Sequence, residues 1–447
     1  MPSRERLHDE YKRADHAIIK QHRTVEERSE VHKALLGTGA ALLVGVISSP
    51  VSSKGHNIFL SFGNLSDVFR QISVTGITAV GMTLVILIAG IDLSVGSVLA
   101  LGSVVCAMLL TNEGWSSAYL LGVPAIFLLA FLVVFGVLSF GTKLQRRATL
   151  DAGTNPPAIS KLLLGIAAAA ALVLAFGVAL TSEGKAGVFL VLLVVPAVGF
   201  MLGTINGLII VGGRLQPFIV TLAMMVAGLG IARLTAGQNT AVWPVYTGSN
   251  ATEDFEALRS LIFGIIPVPG VIFAGIIVLF WLILKFTKFG RYVYAIGGNE
   301  EAARLAGVPV WRVKITVYAI SGYLAALAGI LYVAQYRQGK PDAGTGLELD
   351  AIAAVVIGGT SLMGGRGSMI GTLVGVLIFG FLSNILQLNN IDSNTQLVLK
   401  GAIIIIAVLL QERRSSGWLF FLSQLRARDA IDKSGPNQIK NPREPGD

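Results

Sequence analysis

One carboxylate in this sequence stands where it could do chemistry. Asp92, in the run AGIDLSVGS, interrupts a long stretch of otherwise uncharged residues. A charge at the bilayer centre costs roughly 2.5–3.5 kcal/mol on insertion scales, so we do not expect Asp92 to face lipid. Inside a helical bundle such a carboxylate could relay a proton or couple an ion to transport. It could also serve as a polar cap where a helix is broken.

The residues around Asp92 favour a break in the helix. Gly90 and Gly96 weaken helical structure on either side of it. The side chains of Asp92, Ser94 and Ser97 can accept hydrogen bonds from the free amides of the following segment. The order of the apolar runs predicts that this turn lies at the cytosolic boundary of the membrane. We interpret it as a structural pivot formed by Gly90, Asp92, Ser94 and Gly96, with a simple N-cap and a proton relay as alternatives.

A second stretch, AIGGNEEAARLAGVPVWRVK at 295–314, predicts a short charged helix between two apolar runs. Asn299 is a good N-cap, Glu300 and Glu301 suit the positive end of a helix, and Gly307 suits the C-cap. About two turns are too few to be stable alone in water, so a partner that packs against the helix would account for it. The residues available for this contact are Asn299, Glu300, Glu301, Arg304, Leu305 and Gly307. The alternative is a plain cytosolic loop.

Polar side chains within the apolar runs are candidates for a path through the membrane. Amides and hydroxyls of this kind could hydrogen-bond to a polar solute on its way through the membrane. The alternative is hydrogen bonding between helices, which is worth about 0.6 kcal/mol on average. The candidates are Asn206, Gln216, Thr221, Asn384 and Gln387.

The composition is that of a multi-pass membrane protein. Hydrophobic residues make up 53% of the chain, charged residues 14%, and the mean hydropathy is +0.71. Soluble domains carry roughly 25% charged residues. The net charge of +9 arises from Lys and Arg in the tails and a few loops, without the aromatic-lined basic patch expected of a nucleic-acid protein. The single cysteine, Cys106, excludes a disulfide within the chain and a thiolate metal site.

The hydropathy pattern predicts an all-α transmembrane bundle of about twelve apolar segments, most of them near the roughly 20 residues that a span needs. Two are short and contain glycine, which predicts broken helices near 90–97 and 351–367. A charged tail at 1–33 precedes the membrane domain at 34–411, and a second tail follows at 412–447. The segments are 34–51, 72–90, 95–111, 118–140, 162–182, 187–211, 216–236, 261–284, 315–335, 351–364, 369–387 and 396–411.

The distribution of Lys and Arg predicts the orientation. Both tails and the stretches 141–161 and 285–314 are rich in these residues, whereas the loops between them are poor. Placing the basic stretches in the cytosol lets the segments alternate without contradiction. Both termini and the 295–314 helix are therefore predicted on the cytosolic side.

Catalytic signatures are missing from the sequence. It contains no GxxxxGK[ST] phosphate loop, no HExxH, no CxxC and no nucleophile elbow. The histidines lack metal-ligand spacing. We therefore predict no catalytic residue, no metal site and no cofactor bound by this chain, and any ATP must be used by another polypeptide.

Three stretches resemble one known family. GRYVYAIGGNEEAARLAGVPVWRVK, GMTLVILIAGIDLSVGSVLAL and GTGLELDAIAAVVIGGTSLMGGRGSMIGTLVG are similar to the permeases of sugar-type ABC importers, the ribose, xylose, arabinose and galactose group. The resemblance covers about 60–111 and 187–411. The chain departs from the usual pattern of about ten spans by its long N-terminal tail and by an inserted pair of crossings at 118–182.

The resemblance implies a bacterial inner-membrane permease that imports a monosaccharide, either a pentose or a hexose. Its 295–314 helix would be a coupling helix that docks on a separate cytosolic ATPase, which uses ATP and Mg²⁺. A second permease copy would complete the path, and a periplasmic binding protein would deliver the sugar. Acidic residues predicted on the outer side are candidates for binding-protein contact: Glu253, Asp254, Glu256, Asp342, Glu348 and Asp350.

Two other functions remain open. A secondary transporter working alone could couple Asp92 to a proton or sodium ion, and paired broken helices are typical of such proteins. A membrane scaffold without transport is the weaker alternative, because a scaffold does not need polar residues in so many spans. Surrounding lipid is a partner in every case.

Overall fold

The computed structural model describes residues 38–39, 42–51, 55, 57–111, 187–237 and 242–414. The predicted N-terminal tail and the inserted pair of crossings at 118–182 lie outside these residues. So does the predicted C-terminal tail, except for its first three residues. These three assignments stay predictions.

The described residues are mainly helical. Four two-residue strands form two small antiparallel pairs, β1 (Trp243–Pro244) with β4 (Gln338–Gly339) and β2 (Leu261–Ile262) with β3 (Ile266–Pro267). A 3-10 helix covers Glu253–Leu258. The α-helices are α1 (Phe62–Leu87), α2 (Val95–Thr111), α3 (Val188–Gly213), α4 (Pro217–Ala236), α5 (Val268–Phe286), α6 (Lys288–Gly298), α7 (Glu300–Leu305), α8 (Val310–Tyr336), α9 (Leu347–Ile357), α10 (Met369–Leu388) and α11 (Ser393–Arg414).

Six of these helices, α1, α3, α4, α5, α8 and α10, are long and apolar enough to cross a membrane. The prediction of a polytopic helical protein is confirmed at this level. Helix α2 has 17 residues and is apolar but shorter. Helix α11 belongs to a separate unit that begins at Ser393. The total of about twelve segments stays a prediction.

Helix α8 is the centre of the first unit and packs against α1, α2 and α3. Glycines allow its closest contact, because a Cβ on Gly199 or Gly203 of α3 would collide with the α8 backbone at Gly322 or Tyr318. The order of these contacts shows that α3 and α8 run in opposite directions. Their antiparallel packing is as expected for two helices that cross the membrane in opposite senses.

Two irregular segments interrupt the bundle. Residues 88–94 separate α1 from α2, and 358–368 separate α9 from α10. The break near 90–97 is therefore confirmed. The second short helix begins at Leu347 rather than near 351. Glu348 and Asp350, which were expected to precede the helix, therefore lie within its first turn. Gly96 and Gly344 are in backbone contact, so the N-terminal ends of α2 and α9 meet.

Candidate functional site

Asp92 is buried, with 1% of its surface exposed. Its Oδ1 accepts hydrogen bonds from the Ser94 amide at 3.0 Å and the Ser94 hydroxyl at 2.6 Å. Its Oδ2 accepts one from the Ser321 hydroxyl of α8 at 2.8 Å. Three donors thus satisfy the carboxylate, as a buried polar group requires. The prediction that Asp92 avoids lipid agrees with this burial.

The hydrogen bond to Ser321 gives the position of Asp92 along α8. Ser321 lies eleven residues after Val310, the first residue of the 27-residue helix α8. At 1.5 Å per residue, that is roughly 16 Å along a helix of about 40 Å. Asp92 therefore lies beside the middle of α8, and its position relative to the cytosolic boundary of the membrane stays a prediction. After α1 ends, the chain turns back into the bundle before α2 begins, which brings Asp92 beside the middle of α8, the longest helix among the described residues.

The turn around Asp92 is tied to two further spans. Asn206 of α3 donates from Nδ2 to the Ser94 hydroxyl at 2.9 Å. Thr221 of α4 donates to the Ile91 carbonyl at 3.1 Å. Both side chains are fully buried. The turn thus joins α3, α4 and α8, and its role as a structural pivot stays a prediction. We call the set Asp92, Ser94, Asn206, Thr221 and Ser321 the Asp92 cluster.

The five path candidates are not brought together. Asn206 and Thr221 belong to the Asp92 cluster. Asn384 of α10 exchanges two amide hydrogen bonds with Asn64 of α1, at 2.8 and 3.0 Å, near the other end of those helices. Gln216 and Gln387 are exposed at helix ends. The geometry of the three buried residues matches the alternative of hydrogen bonding between helices.

Two residues of α8 were missed from the sequence, Ser321 and Tyr318. Tyr318 is fully buried, and its hydroxyl would collide with a Cβ on Gly90. The Tyr318 hydroxyl and Asn206 Oδ1 are among the few buried polar atoms in the described ranges that have no hydrogen-bond partner. The only signal in the sequence was their polar character within the apolar run 315–335. Among the described residues, no group of three or more His, Cys, Asp or Glu could hold a metal ion.

The predicted charged helix is α7. Asn299 is its N-cap and accepts from the Ala302 amide at 2.9 Å, and Gly307 follows the helix with φ +81°. Glu300 pairs with Lys314 of α8 at 2.6 Å, which fixes α7 to the start of that span. Arg304 pairs with Glu300 and with Glu301, each at 3.4 Å. The capping predicted from the sequence agrees with this geometry.

Most of helix α7 is exposed. Within Glu300–Leu305 only Ala303 is buried. Leu305 is 82% exposed, an apolar side chain on the outer surface of a charged helix. The Glu301 and Arg304 side chains are 66% and 60% exposed. This surface presents an apolar centre with charges around it, which is typical of a protein-docking surface.

Several of the acidic residues predicted on the outer side have partners within the chain. Asp254 accepts from the Val188 amide at 2.8 Å and so caps α3. Glu256 accepts from the Thr247 hydroxyl at 2.7 Å and lies 3.8 Å from both Arg259 and Arg337. Asp342 pairs with Lys340 at 3.1 Å, and Asp350 also has an interaction partner. Glu348 accepts backbone hydrogen bonds at the start of α9. These contacts give the side chains structural roles.

Six apolar helices in the described part of the chain, each long enough to cross a membrane, define the class of this protein as a multi-pass membrane protein. The family described as "Branched-chain amino acid transport system / permease component" matches residues 64–150 and 159–408. The chain belongs to this family. The matched ranges include most of 118–182, and the interpretation of that segment as an inserted pair stays a prediction.

Named relatives are similar over most of their length. The chain is 38% identical to the ribose import permease protein of Haemophilus influenzae over 354 residues, which cover 78% of this chain and 85% of the relative. It is 36% identical to the ribose import permease protein of Escherichia coli strain K12 over 396 residues, 88% and 98% of the two chains. It is 31% identical to the fructose import permease protein of Rhizobium meliloti over 355 residues, 79% of each. No solved structure matches the chain. The resemblance stated from the sequence is confirmed.

Proposed function

We propose that this chain is the membrane-spanning subunit of an ABC importer that moves a monosaccharide into the cell. Family membership supports the class of transporter. The observation that carries the mechanism is α7, a capped helix that is fixed at Glu300 to the start of α8 and leaves Leu305 exposed. A force applied to α7 from outside the chain would reach α8, the central span of the first unit.

The partner on α7 is proposed to be a cytosolic ATPase subunit, with ATP and Mg²⁺ bound there rather than on this chain. A second permease copy would complete the path, and a periplasmic binding protein would bring the solute. In this assembly, closure of the ATPase pair moves α7, and α8 transmits the movement to the Asp92 cluster. The proposed orientation is the one predicted from the distribution of Lys and Arg. Both termini then lie in the cytosol, and the chain spans the bacterial inner membrane.

We propose that the path runs beside residues 340–346, which lead from β4 to α9. Gly344 contacts Gly96, four residues beyond Asp92, so this irregular segment reaches the middle of the bundle. Thr345 is nevertheless exposed. Irregular backbone at membrane depth is tolerated only when protein buries it or when it lines a water-filled cavity. An exposed polar residue at this depth therefore favours an aqueous path.

The solute is proposed to be a pentose or a hexose. Relatives are named for ribose and for fructose, whereas the family description names branched-chain amino acids. The two solute classes differ in what a path must offer. A sugar needs hydrogen-bond partners for several hydroxyl groups, whereas leucine presents an apolar side chain.

A secondary transporter that uses Asp92 is the alternative function. Its mid-span position favours that role, since ionisable residues inside membranes mark proton and ion pathways. Against it, all three hydrogen bonds to the carboxylate come from serines, and α7 has no role in an ion-driven carrier.

Uptake into proteoliposomes separates these functions. The full chain is reconstituted with an ATPase subunit and a binding protein from the same organism, and radiolabelled ribose, fructose and leucine are supplied. We expect uptake of one of the sugars that requires ATP and the binding protein. Uptake by this chain alone, driven by a proton or sodium gradient and unaffected by ATP, would overturn the proposal. ATP-driven uptake of leucine without either sugar would retain the importer and reject the sugar.

A further inference from the structure

A small apolar hairpin precedes helix α5. Strands β2 and β3 pair Leu261 with Pro267 and Ile262 with Ile266. The hairpin sequence, LIFGIIP at 261–267, contains no charged residue. The Val268 amide, at the first residue of α5, donates to the Ser260 carbonyl at 3.1 Å and holds the hairpin to the start of this span. The hairpin therefore lies where α5 enters the membrane.

The tip of the hairpin exposes three large apolar side chains. Phe263 is 93% exposed, Ile265 60% and Ile266 49%. Soluble surfaces carry isolated apolar side chains, but three clustered on one turn mark a surface that contacts something else. We call Phe263, Ile265 and Ile266 the apolar tip.

Backbone preference does not account for the phenylalanine. Phe263 has φ +53° and Gly264 has φ +70°. The left-handed region suits glycine and asparagine, whereas a bulky residue there is uncommon and unfavourable. Phe263 is almost entirely exposed, so packing within the chain does not compensate for this conformation. Contact of the ring with an apolar environment outside the chain would compensate for it.

The surroundings of the tip identify that environment as lipid. Helix α5 is only 28% buried along its most apolar stretch, so most of its surface faces outward. Apart from Lys285 in the last turn, its exposed residues are uncharged, and large apolar ones continue from the tip along the helix: Val271, Val278, Leu279 and Leu282. Arg259, whose partly exposed side chain lies 3.8 Å from Glu256, precedes the hairpin by two residues. An apolar tip with an adjacent cation suits the boundary between acyl chains and phosphate headgroups.

We propose that the apolar tip inserts into the bilayer and anchors the N-terminal end of α5 in the leaflet opposite α7. In the proposed orientation this is the outer leaflet. The other possible occupants are a second copy of this chain and the binding protein, and the test below treats both as contrary results.

The test uses the full-length chain in lipid nanodiscs. The single native cysteine is removed as Cys106→Ala, and Phe263→Cys carries an environment-sensitive fluorophore. The matched control is Tyr246→Cys, an exposed aromatic on the same connecting segment but outside the hairpin. Nitroxide groups on the upper acyl chains quench labels in lipid, and aqueous iodide quenches labels in water. We expect acyl-chain nitroxides to quench the 263 label severalfold more than the 246 label, with the opposite order for iodide.

A second variant separates insertion from an effect on folding. Asparagine tolerates positive φ, so Phe263→Asn keeps the turn while removing the ring. With the label placed at Ile265→Cys, we expect Phe263→Asn to reduce acyl-chain quenching severalfold without changing the melting temperature in detergent. Equal iodide quenching at 263 and 246 would overturn the proposal. So would disulfide-linked dimers of the unlabelled Phe263→Cys variant, or protection from iodide that needs added binding protein.

Discussion

At the scale of single residues, Asp92 distinguishes a structural pivot from an ion-coupling site. Asp92→Ala leaves three buried donors without an acceptor, so we expect a loss of about 3–5 kcal/mol in unfolding free energy. Asp92→Asn keeps one acceptor oxygen, and its loss should be smaller, about 1–3 kcal/mol. Thermal unfolding in detergent measures both. The control is Asp67→Asn, whose carboxylate is 73% exposed and which should change stability by less than about 0.5 kcal/mol.

The two roles of Asp92 also predict different transport. If it is a pivot, Asp92→Asn keeps ATP-driven uptake in proportion to the amount of folded protein. An ion-coupling carboxylate would lose uptake completely with the fold intact. The second pattern would contradict the structural role.

The contact between Gly90 and Tyr318 predicts a coupled pair. A methyl group at Gly90 would collide with the Tyr318 hydroxyl and reach Val85 Cγ1 at 3.1 Å, so Gly90→Ala should cost about 1–3 kcal/mol. Tyr318→Phe removes a buried hydroxyl that has no partner and should cost less than about 1 kcal/mol. The double variant should be at least about 0.5 kcal/mol more stable than the sum of the two single effects predicts.

A double-mutant cycle in thermal unfolding measures this coupling. Gly230→Ala is the control, because a Cβ there has no atom within 4 Å. If the stability changes of Gly90→Ala and Tyr318→Phe add exactly, the Tyr318 hydroxyl does not limit the space available at Gly90.

Sequence patterns identify Asp92 and Ser94 because a lone charge and two glycines are local signals. They do not identify Ser321, which lies 229 positions away along the chain. Nor do they give the depth of the turn, since hydropathy counts residues along the chain and 88–94 folds back into the bundle. The path candidates fail for a related reason: a buried amide looks the same in sequence whether it meets a solute or another helix.

At the scale of elements, α7 gives the clearest test of docking. Glu300 is held by Lys314, whereas Glu301 and Arg304, which pair with each other at 3.4 Å, stay mostly exposed and can present a charge pattern to a partner. Reversing either charge should weaken ATPase binding about tenfold, and Leu305→Asp should weaken it at least as much, because central apolar contacts dominate docking surfaces. Membrane insertion should not change. Co-purification and surface-immobilised binding of the ATPase measure the effect.

The double exchange Glu301→Arg with Arg304→Glu sharpens this test. It restores the ion pair within α7 but leaves the pattern reversed, so folding recovers and docking does not. Asp67→Arg, a charge reversal at the far end of the bundle, is the control. Full ATPase binding in the double exchange and in Leu305→Asp would reject α7 as the docking element.

The type of each element can be predicted well from the sequence, whereas the residues at which it begins and ends are predicted less well. The cap of α7 follows from Asn299 and Gly307, which act locally. The sequence pattern places the start of α9 too late, because it puts Glu348 and Asp350 before the helix. Acidic residues are favourable both before a helix and within its first turn, and local pattern does not separate the two.

At the scale of the whole molecule, the orientation decides whether the proposed assembly can form. Helix α1 runs antiparallel to α10, with Asn64 against Asn384 and Thr83 against Thr372. This direction agrees with the alternation predicted from Lys and Arg, although it does not say which end is cytosolic. Residues 237–260 and helix α7 are predicted to lie on opposite sides of the membrane.

Accessibility of single cysteines tests that arrangement in the full chain with Cys106→Ala. Leu305→Cys and Tyr246→Cys place exposed thiols at the two predicted faces. A membrane-impermeant maleimide should label Leu305→Cys only in inside-out vesicles and Tyr246→Cys only in right-side-out ones, because a charged reagent does not cross the bilayer. The parent lacking cysteine controls for background labelling. If Leu305→Cys is labelled from the periplasm, a cytosolic ATPase cannot reach α7, and the coupling mechanism fails whatever the solute.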